Sequence, residues 1–327
     1  MDNNTRSKRR RHKKKKSSVG RIVLITFLLL LTLVVGAGGL MAWQVYSDLR
    51  VTSEEMYEEV VDQEQHDTRK EKPVVVDDGE DPFSVLIMGI DTGDFDRSYQ
   101  GRSDTMMLLT VNPNTDKTTI VSIPRDTYTE IIGRGHKDKI NHAYAFGGTS
   151  MAVNTVQNLF DVPVDYFVSV NMESMQQIVD AVGGISVVPP LSFTQSGYSF
   201  IEGQSTHMNG AKALEYSRMR KSDPNGDYGR QHRQRQVIEG TMRSIASIDS
   251  IMNYQNILGT MSNSMRTNMN FDDMVDMFNN YRNSISNVEQ VQLSGSGQLL
   301  NGVYYEMIPT EEINRVSSHL KSELEIN

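Results

Sequence analysis

An uncharged run from Ile22 to Trp43 divides this chain of 327 residues into two parts of opposite charge. About 20 apolar residues cross a bilayer as a helix, so the run predicts a transmembrane anchor. Ten Lys or Arg residues precede it against a single acid, Asp2, and basic flanks stay in the cytoplasm. We therefore expect a cytoplasmic basic tail at residues 1–21, an anchor at 22–43 and an extracellular remainder, which is a single-pass type II arrangement.

Two other interpretations of the N-terminus stay open. A signal peptide cleaved near the small residues Val35 to Ala37 is one, although the apolar run is long for such a segment. Nucleic-acid binding by the basic block is the other. The topology signal explains the same residues, so we expect no nucleic-acid partner. The chain has no cysteine, so an exported domain depends on its core rather than on disulfides.

The segment after the anchor, residues 44–81, is acidic and poor in large apolar residues. This composition predicts an extracellular stalk that is partly helical around residues 54–64 and extended after that. The first continuous apolar run of the remainder follows Pro82. We therefore expect one folded domain at residues 82–327.

Strand and helix patterns alternate through this domain. Apolar runs at 83–90, 106–111 and 118–123 predict buried strands, and the Asn- and Pro-containing turn between the last two predicts a hairpin. Interleaved helices and strands indicate an α/β domain, with α-β-α layers around a central mixed sheet. Helices are expected at 149–160, 173–182, 209–219, 228–248, 254–265, 271–283 and 310–324, and further strands at 165–170, 185–188, 288–293 and 303–307.

Two carboxylates bracket a polar, glycine-containing loop near the start of the domain. Asp91 follows one predicted strand and Asp104 begins the next. Mg²⁺ commonly binds one or two carboxylates together with water and phosphate oxygens, so the pair predicts a magnesium site. Asp94 and Asp96 are spare acids in the loop. The plainer alternative is that Asp91 caps a turn and Asp104 pairs with Arg102.

Five arginines crowd a short segment of the acidic chain. The guanidinium group grips phosphate through a planar fork of donors and stays charged. In the predicted helix after Tyr228, helical spacing places Arg230, Arg233 and Val237 on one face. A solvated surface is the usual role of such a face, but few acids lie nearby, which favours a phosphate site. The five are Arg218, Arg220, Arg230, Arg233 and Arg235.

Other common sites are missing from the sequence. No histidine pair has metal-ligand spacing and there is no cysteine, which argues against zinc. No nucleophile elbow, P-loop or dinucleotide-binding motif occurs. Arginines and carboxylates together therefore indicate a metal-bridged phosphate ligand, most simply a pyrophosphate.

Several segments together resemble the LytR-CpsA-Psr family of Gram-positive cell-wall proteins. They are FSVLIMGID, GRSDTMMLLTVNP, TTIVSIPRDTY, KINHAYAFGG, VDYFVSVNMESMQQIVDAVGGI, HMNGAKALEYSRMR and DPNGDYGRQHRQRQV, within residues 81–241. The resemblance implies a phosphotransferase that moves an anionic glycopolymer, such as teichoic acid or capsule, from an undecaprenyl-pyrophosphate carrier to the N-acetylmuramic acid of peptidoglycan. A pyrophosphatase acting on the same donors, and a non-catalytic regulatory or lipid-binding protein, are the alternatives.

The resemblance also assigns roles to residues. It implies Asp91 and Asp104 as magnesium ligands that, with Arg125 and Arg218, form the catalytic group. The residues that it implies hold or support the pyrophosphate are Arg102, Arg125, Lys139, Arg218, Arg220, Arg230, Arg233 and Gln234. Arg235 receives no role. Beyond about Phe271 the resemblance fades, and that part is expected to influence which polymer is used.

Overall fold

The computed structural model describes residues 43–44, 46–61, 66–91, 101–247 and 265–326. The chain divides into two compact units, Met1–Asp48 and Leu49–Asn327. Within the first unit the described residues, 43–44 and 46–48, are helical. None of the helices in the described ranges is long and apolar enough to cross a bilayer. The predicted tail at 1–21 lies outside those ranges, as does the predicted anchor at 22–43 apart from Trp43.

A six-stranded mixed sheet forms the centre of the second unit, in the order β11-β6-β1-β2-β3-β12. Strand β2 pairs antiparallel with both β1 and β3, whereas β6 lies parallel to β1 and β12 parallel to β3. The strands are β1 (Phe83–Ile90), β2 (Ser103–Asn112), β3 (Lys117–Ser122), β6 (Tyr166–Val170), β11 (Met265–Thr267) and β12 (Val288–Gln292). The predicted α/β class, the mixed sheet and the hairpin turn between β2 and β3, at residues 113–116, are confirmed.

Helices cover both faces of this sheet because alternate side chains of its strands point in opposite directions. Leu86 and Met88 join one core cluster with Phe160 and Leu320. Ile87, one residue away, lines a cleft on the other face. The first face is covered by helices α2 (His142–Phe160) and α8 (Thr310–Glu323); the second by α3 (Met172–Ala181), α4 (Gly210–Arg218) and α5 (Gly226–Ala246).

Smaller elements surround these layers. Four two-stranded sheets pair β4 with β5, β7 with β10, β8 with β9 and β13 with β14. Their strands are β4 (Tyr128–Ile131), β5 (His136–Lys139), β7 (Ile185–Val187), β8 (Phe193–Gln195), β9 (Tyr198–Phe200), β10 (Thr206–Met208), β13 (Ser296–Leu300) and β14 (Val303–Met307). Short helices α1 (Asp67–Glu71), α6 (Phe271–Asn280) and α7 (Arg282–Ser286) complete the described elements. The expected single helix at 271–283 is thus two helices, and the helix expected at 254–265 falls outside the described residues except for Met265, which begins β11.

The segment expected to form a stalk is folded against the domain where the structure describes it. Leu49, Met56 and Val76 are buried. Arg69 of α1 donates to both carboxylate oxygens of Asp165, at 2.7 and 2.8 Å. The described residues from 49 to 81 therefore belong to the compact unit, which begins well before the expected boundary at 82. A few apolar anchors and one ion pair across 96 residues are enough to hold a segment whose composition suggested a stalk.

Candidate pyrophosphate and metal site

The predicted site residues meet where β1 and β3 end and β2 begins. Asp91 directly follows β1, and Asp104 is the second residue of β2. Because β1 and β2 pair antiparallel, with Ile90 opposite Ser103, the two carboxylates come to the same edge of the sheet. The backbone N–H of Arg102 donates to Asp91 Oδ1 at 2.5 Å, which fixes the Asp91 side chain across the connection. Asp94 and Asp96 lie outside the described residues.

Arg125 approaches the carboxylates from the end of β3. Its Nη1 donates to Asp104 Oδ1 at 2.9 Å, and its Nε lies 3.7 Å from Asp126 Oδ2. Burial alone would lower the pKa of Arg125, but Asp104 and Asp126 raise it overall. Asp104 therefore pairs with Arg125, and not with Arg102 as the plainer interpretation of the sequence had it. Lys139 Nζ lies 2.7 Å from Asp126, the residue after Arg125, and therefore pairs with this neighbouring acid.

The first turns of α5 supply the facing cation. Arg230 Nη2 lies 2.6 Å from Asp227 Oδ1, and Arg220 Nε lies 3.4 Å from the same oxygen. Only 14% of the Arg230 side chain is exposed. Burial lowers the pKa of Arg230, and the charge of Arg125 lowers it further while Asp227 opposes the shift. Arg230 and Arg125 line one narrow recess together with Asp104.

Two N–H groups of this recess have no acceptor within the described part of the chain. They are Nε of Arg125 and Nε of Arg230, both buried. A buried donor without a partner is costly, so such groups usually await a ligand or water. Two buried guanidinium groups that line one recess and have unpaired Nε donors are of the kind that binds a phosphate dianion.

Arg218 and Arg220 extend the site outward. They line an open pocket of about 560 Å³ with Arg230 and Asp227. Arg218 also lines the apolar cleft described below, where it adjoins Gln234. Nearly half of each arginine side chain is exposed, which leaves both accessible to a ligand. Arg102 is exposed on the β1–β2 connection.

Arg233 is placed differently from what the sequence indicated. Its side chain has no exposure, and it is paired with Asp223, which is equally buried. Its other donors go to the backbone carbonyls of Tyr216 and Met219. A ligand therefore has no route to Arg233, which corrects the expectation that it binds pyrophosphate directly. It instead fixes the segment 216–223 that carries Arg218 and Arg220.

Arg235, which had no assigned role, contacts β3 and β12. It donates to Ser122 Oγ at 2.8 Å and to the side-chain oxygens of Gln290 and Gln292 at 3.2 and 2.9 Å. Burial lowers its pKa to about 10. Uncharged acceptors thus hold this buried cation, and it joins α5 to the sheet.

An apolar cleft opens beside the charged residues, between the sheet and helices α3 to α5. Its cavity volume is about 80 Å³. Its apolar wall consists of Ile87, Ile90, Met107, Val170, Met172, Met175, Leu214 and Ile238. Asp91, Asp104, Arg218 and Gln234 stand at the same cleft, so an apolar chain and a charged group of one ligand could be held side by side.

The donor set of Asp91 and Asp104 fits a hard divalent cation. Both carboxylates line the same cleft, and two carboxylates plus ligand oxygens suit Mg²⁺. Another group of three potential ligands, Glu289, His319 and Glu323, lies elsewhere. Lys117 Nζ sits 3.1 Å from Glu289 and 2.5 Å from Glu323, so that group already holds a cation of the protein itself.

The sequence showed the few acids near the arginines but not which arginine each of them pairs with. Asp227 pairs with Arg230 and Arg220, and Asp223 pairs with Arg233. One signal was present, because Asp227 stands three residues before Arg230 on a helix, a spacing at which side chains meet. No local pattern pointed to Asp223, which precedes the helix.

Comparison with known proteins identifies the family. The LytR_cpsA_psr family model matches residues 44–322. The Enterococcus faecalis protein named polyisoprenyl-teichoic acid–peptidoglycan teichoic acid transferase TagU is 46% identical over 89% of this chain and 92% of its own length.

Solved structures give the same result for the fold. The crystal structure of Bacillus subtilis TagU superposes with a TM-score of 0.62 at 47% identity, covering 76% of this chain and 99% of that one. The structure of TagT bound to LIIa-WTA superposes with a TM-score of 0.69 at 30% identity, covering 82% and 100%. The family model begins its match at residue 44, which also lies well before the expected domain boundary at 82.

Proposed function

This chain belongs to the LytR-CpsA-Psr family, and we propose on that premise that it is a teichoic acid transferase. Its donor is an undecaprenyl-pyrophosphate-linked anionic glycopolymer and its acceptor is the N-acetylmuramic acid of peptidoglycan. The names of its relatives support the reaction class, and the site supports the chemistry. The product is a phosphodiester between polymer and wall.

One observation carries the proposal most of all. The Nε groups of Arg125 and Arg230 are buried and find no acceptor in the described structure, and both residues line a recess that shares Asp104 and Gln234 with the apolar cleft. A prenyl pyrophosphate has the matching parts, because its phosphates need cationic donors and its tail needs an apolar wall.

The reaction replaces the phosphoanhydride bond of the donor by a phosphate ester bond to the acceptor. The acceptor hydroxyl forms a bond to the sugar-side phosphorus and releases its proton, while the bond from that phosphorus to the bridging oxygen breaks and undecaprenyl phosphate leaves. Arg125 and Arg230 donate to the phosphate oxygens and stabilise the charge that grows on the leaving group. Arg218 and Arg220, at the outer pocket, orient the pyrophosphate.

Asp91 and Asp104 are the residues that would hold Mg²⁺. When bound, the ion would neutralise part of the pyrophosphate charge. The Arg125–Asp104 bond has a second consequence, because it fixes the Asp104 carboxylate and the Arg125 guanidinium relative to each other at 2.9 Å. Loss of either side chain therefore disturbs both halves of the site.

The apolar cleft receives the start of the prenyl tail. The sheet and helices α3 to α5 give the tail an apolar wall on both sides of the cleft. Each CH₂ buried contributes about 0.8 kcal/mol, which gives the tail a large share of donor binding. The flexible methionines Met172 and Met175 on α3 suit a wall that repacks.

The cellular placement follows from the N-terminal pattern. Residues 22–43 anchor the protein in the cell membrane as a single-pass type II protein, with residues 1–21 in the cytoplasm and the catalytic unit outside. Donor lipid and peptidoglycan are both found on that side. This placement leaves no nucleic-acid partner for the catalytic unit.

The test is reconstitution of the full chain in detergent with a lipid-pyrophosphate teichoic acid donor, Mg²⁺ and peptidoglycan. Mass spectrometry of the digested wall should find the polymer joined to muramic acid through a phosphodiester. The matched control is Arg230→Ala, which should abolish the product. Release of free polymer at the same rate with and without peptidoglycan would identify a pyrophosphatase and refute the transfer.

A further inference from the structure

The β13–β14 hairpin presents an exposed, rigidly held aromatic surface beside the anion site. Leu299 is 68% exposed and Tyr304 is 46% exposed. They stand opposite each other in the antiparallel register and therefore share one face of the hairpin. The turn at Asn301 and Gly302, both with positive φ, fixes that register locally. The surface formed by Leu299 and Tyr304 is called the hairpin platform below.

Two contacts hold the Tyr304 ring in place. The ring packs on Gly297, where a Cβ would come within 2.5 Å of Tyr304 Cε2. The Tyr304 hydroxyl donates to Glu306 Oε2 at 2.6 Å, and this bond raises the pKa of Tyr304 to about 12. The ring is thus fixed while nearly half of the residue stays open to solvent. Such an arrangement binds a flat apolar surface without an ordering penalty.

Glu306 connects the hairpin platform to both halves of the anion site. Its Oε1 accepts from the Tyr228 hydroxyl at 2.7 Å, and Tyr228 directly follows Asp227, the partner of Arg230. Its backbone N–H donates to the carbonyl of Asp126 at 2.8 Å, next to Arg125. Through Glu306 the platform is therefore connected to Tyr228, which adjoins Asp227 in the chain, and to Asp126, which adjoins Arg125.

The platform and the apolar cleft are built from different parts of the fold. The cleft is lined by β1, β2 and β6. The hairpin follows β12, beyond β3 in the strand order. A lipid donor held in the cleft leaves the hairpin platform open for the acceptor molecule.

The charge of the hairpin indicates which kind of acceptor molecule it can bind. Residues 296–307 contain no Lys or Arg, and their one charged residue is the acid Glu306. An anionic glycopolymer or anionic lipid head groups gain nothing from such a surface. Amino-sugar rings fit it, because each ring itself is uncharged and has an apolar face for Tyr304, while the lactyl carboxylate of muramic acid projects from the edge of its ring.

Resting on the proposed function, we infer that the hairpin platform is the acceptor subsite and binds the amino-sugar backbone of a peptidoglycan glycan strand. Tyr304 and Leu299 contact the sugar rings. Glu306 is a positioning residue that orients Tyr304 and joins the platform to Tyr228.

Direct binding tests this without requiring turnover. The full chain in detergent is titrated with a soluble N-acetylglucosamine–N-acetylmuramic acid tetrasaccharide and observed by ligand-detected NMR. Tyr304→Ala should weaken binding about tenfold, and Tyr304→Phe, which keeps the ring, should weaken it far less. Tyr57→Ala is the matched control, since Tyr57 is 49% exposed and pairs with Thr267 near the opposite edge of the sheet. It should bind as the wild type does.

Leu299→Ser covers the case in which Tyr304→Ala fails to fold, because the exposed Leu299 side chain is removable without touching Glu306. It should also weaken binding, and both variants should raise the acceptor KM while donor affinity stays unchanged. Wild-type tetrasaccharide affinity in a folded Tyr304→Ala and in Leu299→Ser would overturn the inference. So would variants that lose phosphatidylglycerol-vesicle binding instead of tetrasaccharide binding, since that marks a membrane contact. Tetrasaccharide binding without any transfer by the wild type would retain the subsite and refute only the proposed function.

Discussion

Removing Arg233 tests whether the arginines of this chain divide into binding and structural groups. Arg233 and Asp223 form an ion pair in which neither side chain is exposed. In Arg233→Ala the Asp223 carboxylate remains buried without its cation, and two backbone carbonyls lose their donors. Breaking a buried pair in this way costs about 3–5 kcal/mol.

The matched control lies ten residues further along the same helix. Arg243 pairs with Glu239 four residues before it, and 59% of the Arg243 side chain is exposed. Exposed pairs of this kind contribute at most about 1 kcal/mol. We therefore expect Arg243→Ala to unfold close to the wild-type temperature.

Differential scanning calorimetry of the full chain in detergent measures the difference. Each 1 kcal/mol moves the midpoint by roughly 2 °C or slightly more in a unit of this size, so Arg233→Ala should lower it by roughly 6–10 °C. A double variant with Asp223→Ala should lose less than the two single losses together, because the lone charge disappears. An Arg233→Ala protein with the wild-type midpoint but little affinity for prenyl pyrophosphate would place Arg233 in the binding site and refute this division.

Other expectations concern the metal, pH and topology. Asp104→Ala should abolish polymer transfer and EDTA should do the same to the wild type; full transfer in EDTA would remove the metal from the mechanism. Burial, then the charges of Arg235 and Arg233, lower the pKa of His232. The unfolded state, with an ordinary pKa of about 6.5, therefore binds the proton first, and stability should fall as pH drops from 7 to 5.5. Urea midpoints of His232→Gln should change less over that range, and an equal change would contradict the assignment. Protease added to protoplasts should digest the part of the chain beyond the predicted anchor and spare the N-terminal tail; a protected catalytic unit would refute the topology.

Local patterns predicted the central elements well. The run at 83–90 became β1 without change, because a strand buried on both faces needs a continuous apolar sequence. The turn after β2 and helices α4 and α5 were equally clear, since their signals lie within a few neighbouring residues. Asp91, Asp104, Arg125, Arg218 and Arg230 do lie around one recess and cleft.

Contacts across long sequence separations were out of reach. The bond between Arg69 and Asp165 joins residues 96 apart, and it turns an apparent stalk into part of the domain. Spacing along α5 put Arg230 and Arg233 on one face. Arg233 is structural because it forms a buried ion pair with Asp223 of the preceding loop, whereas Arg230 pairs with Asp227 beside the recess. Helical periodicity predicts the face on which a side chain lies but not the residue outside the helix that it contacts.

The most direct test of the site compares two ligands of Arg230. Binding of a prenyl pyrophosphate and of the matching prenyl monophosphate to wild type and to Arg230→Ala is measured by isothermal titration calorimetry in detergent. A charge-assisted hydrogen bond contributes about 1.5–3 kcal/mol, so pyrophosphate affinity should fall roughly tenfold to a hundredfold while monophosphate affinity changes much less. Arg230→Lys should recover only part of the loss, because lysine lacks the planar fork. Equal affinity of wild type and Arg230→Ala for the pyrophosphate would contradict the assignment of this recess as the pyrophosphate site.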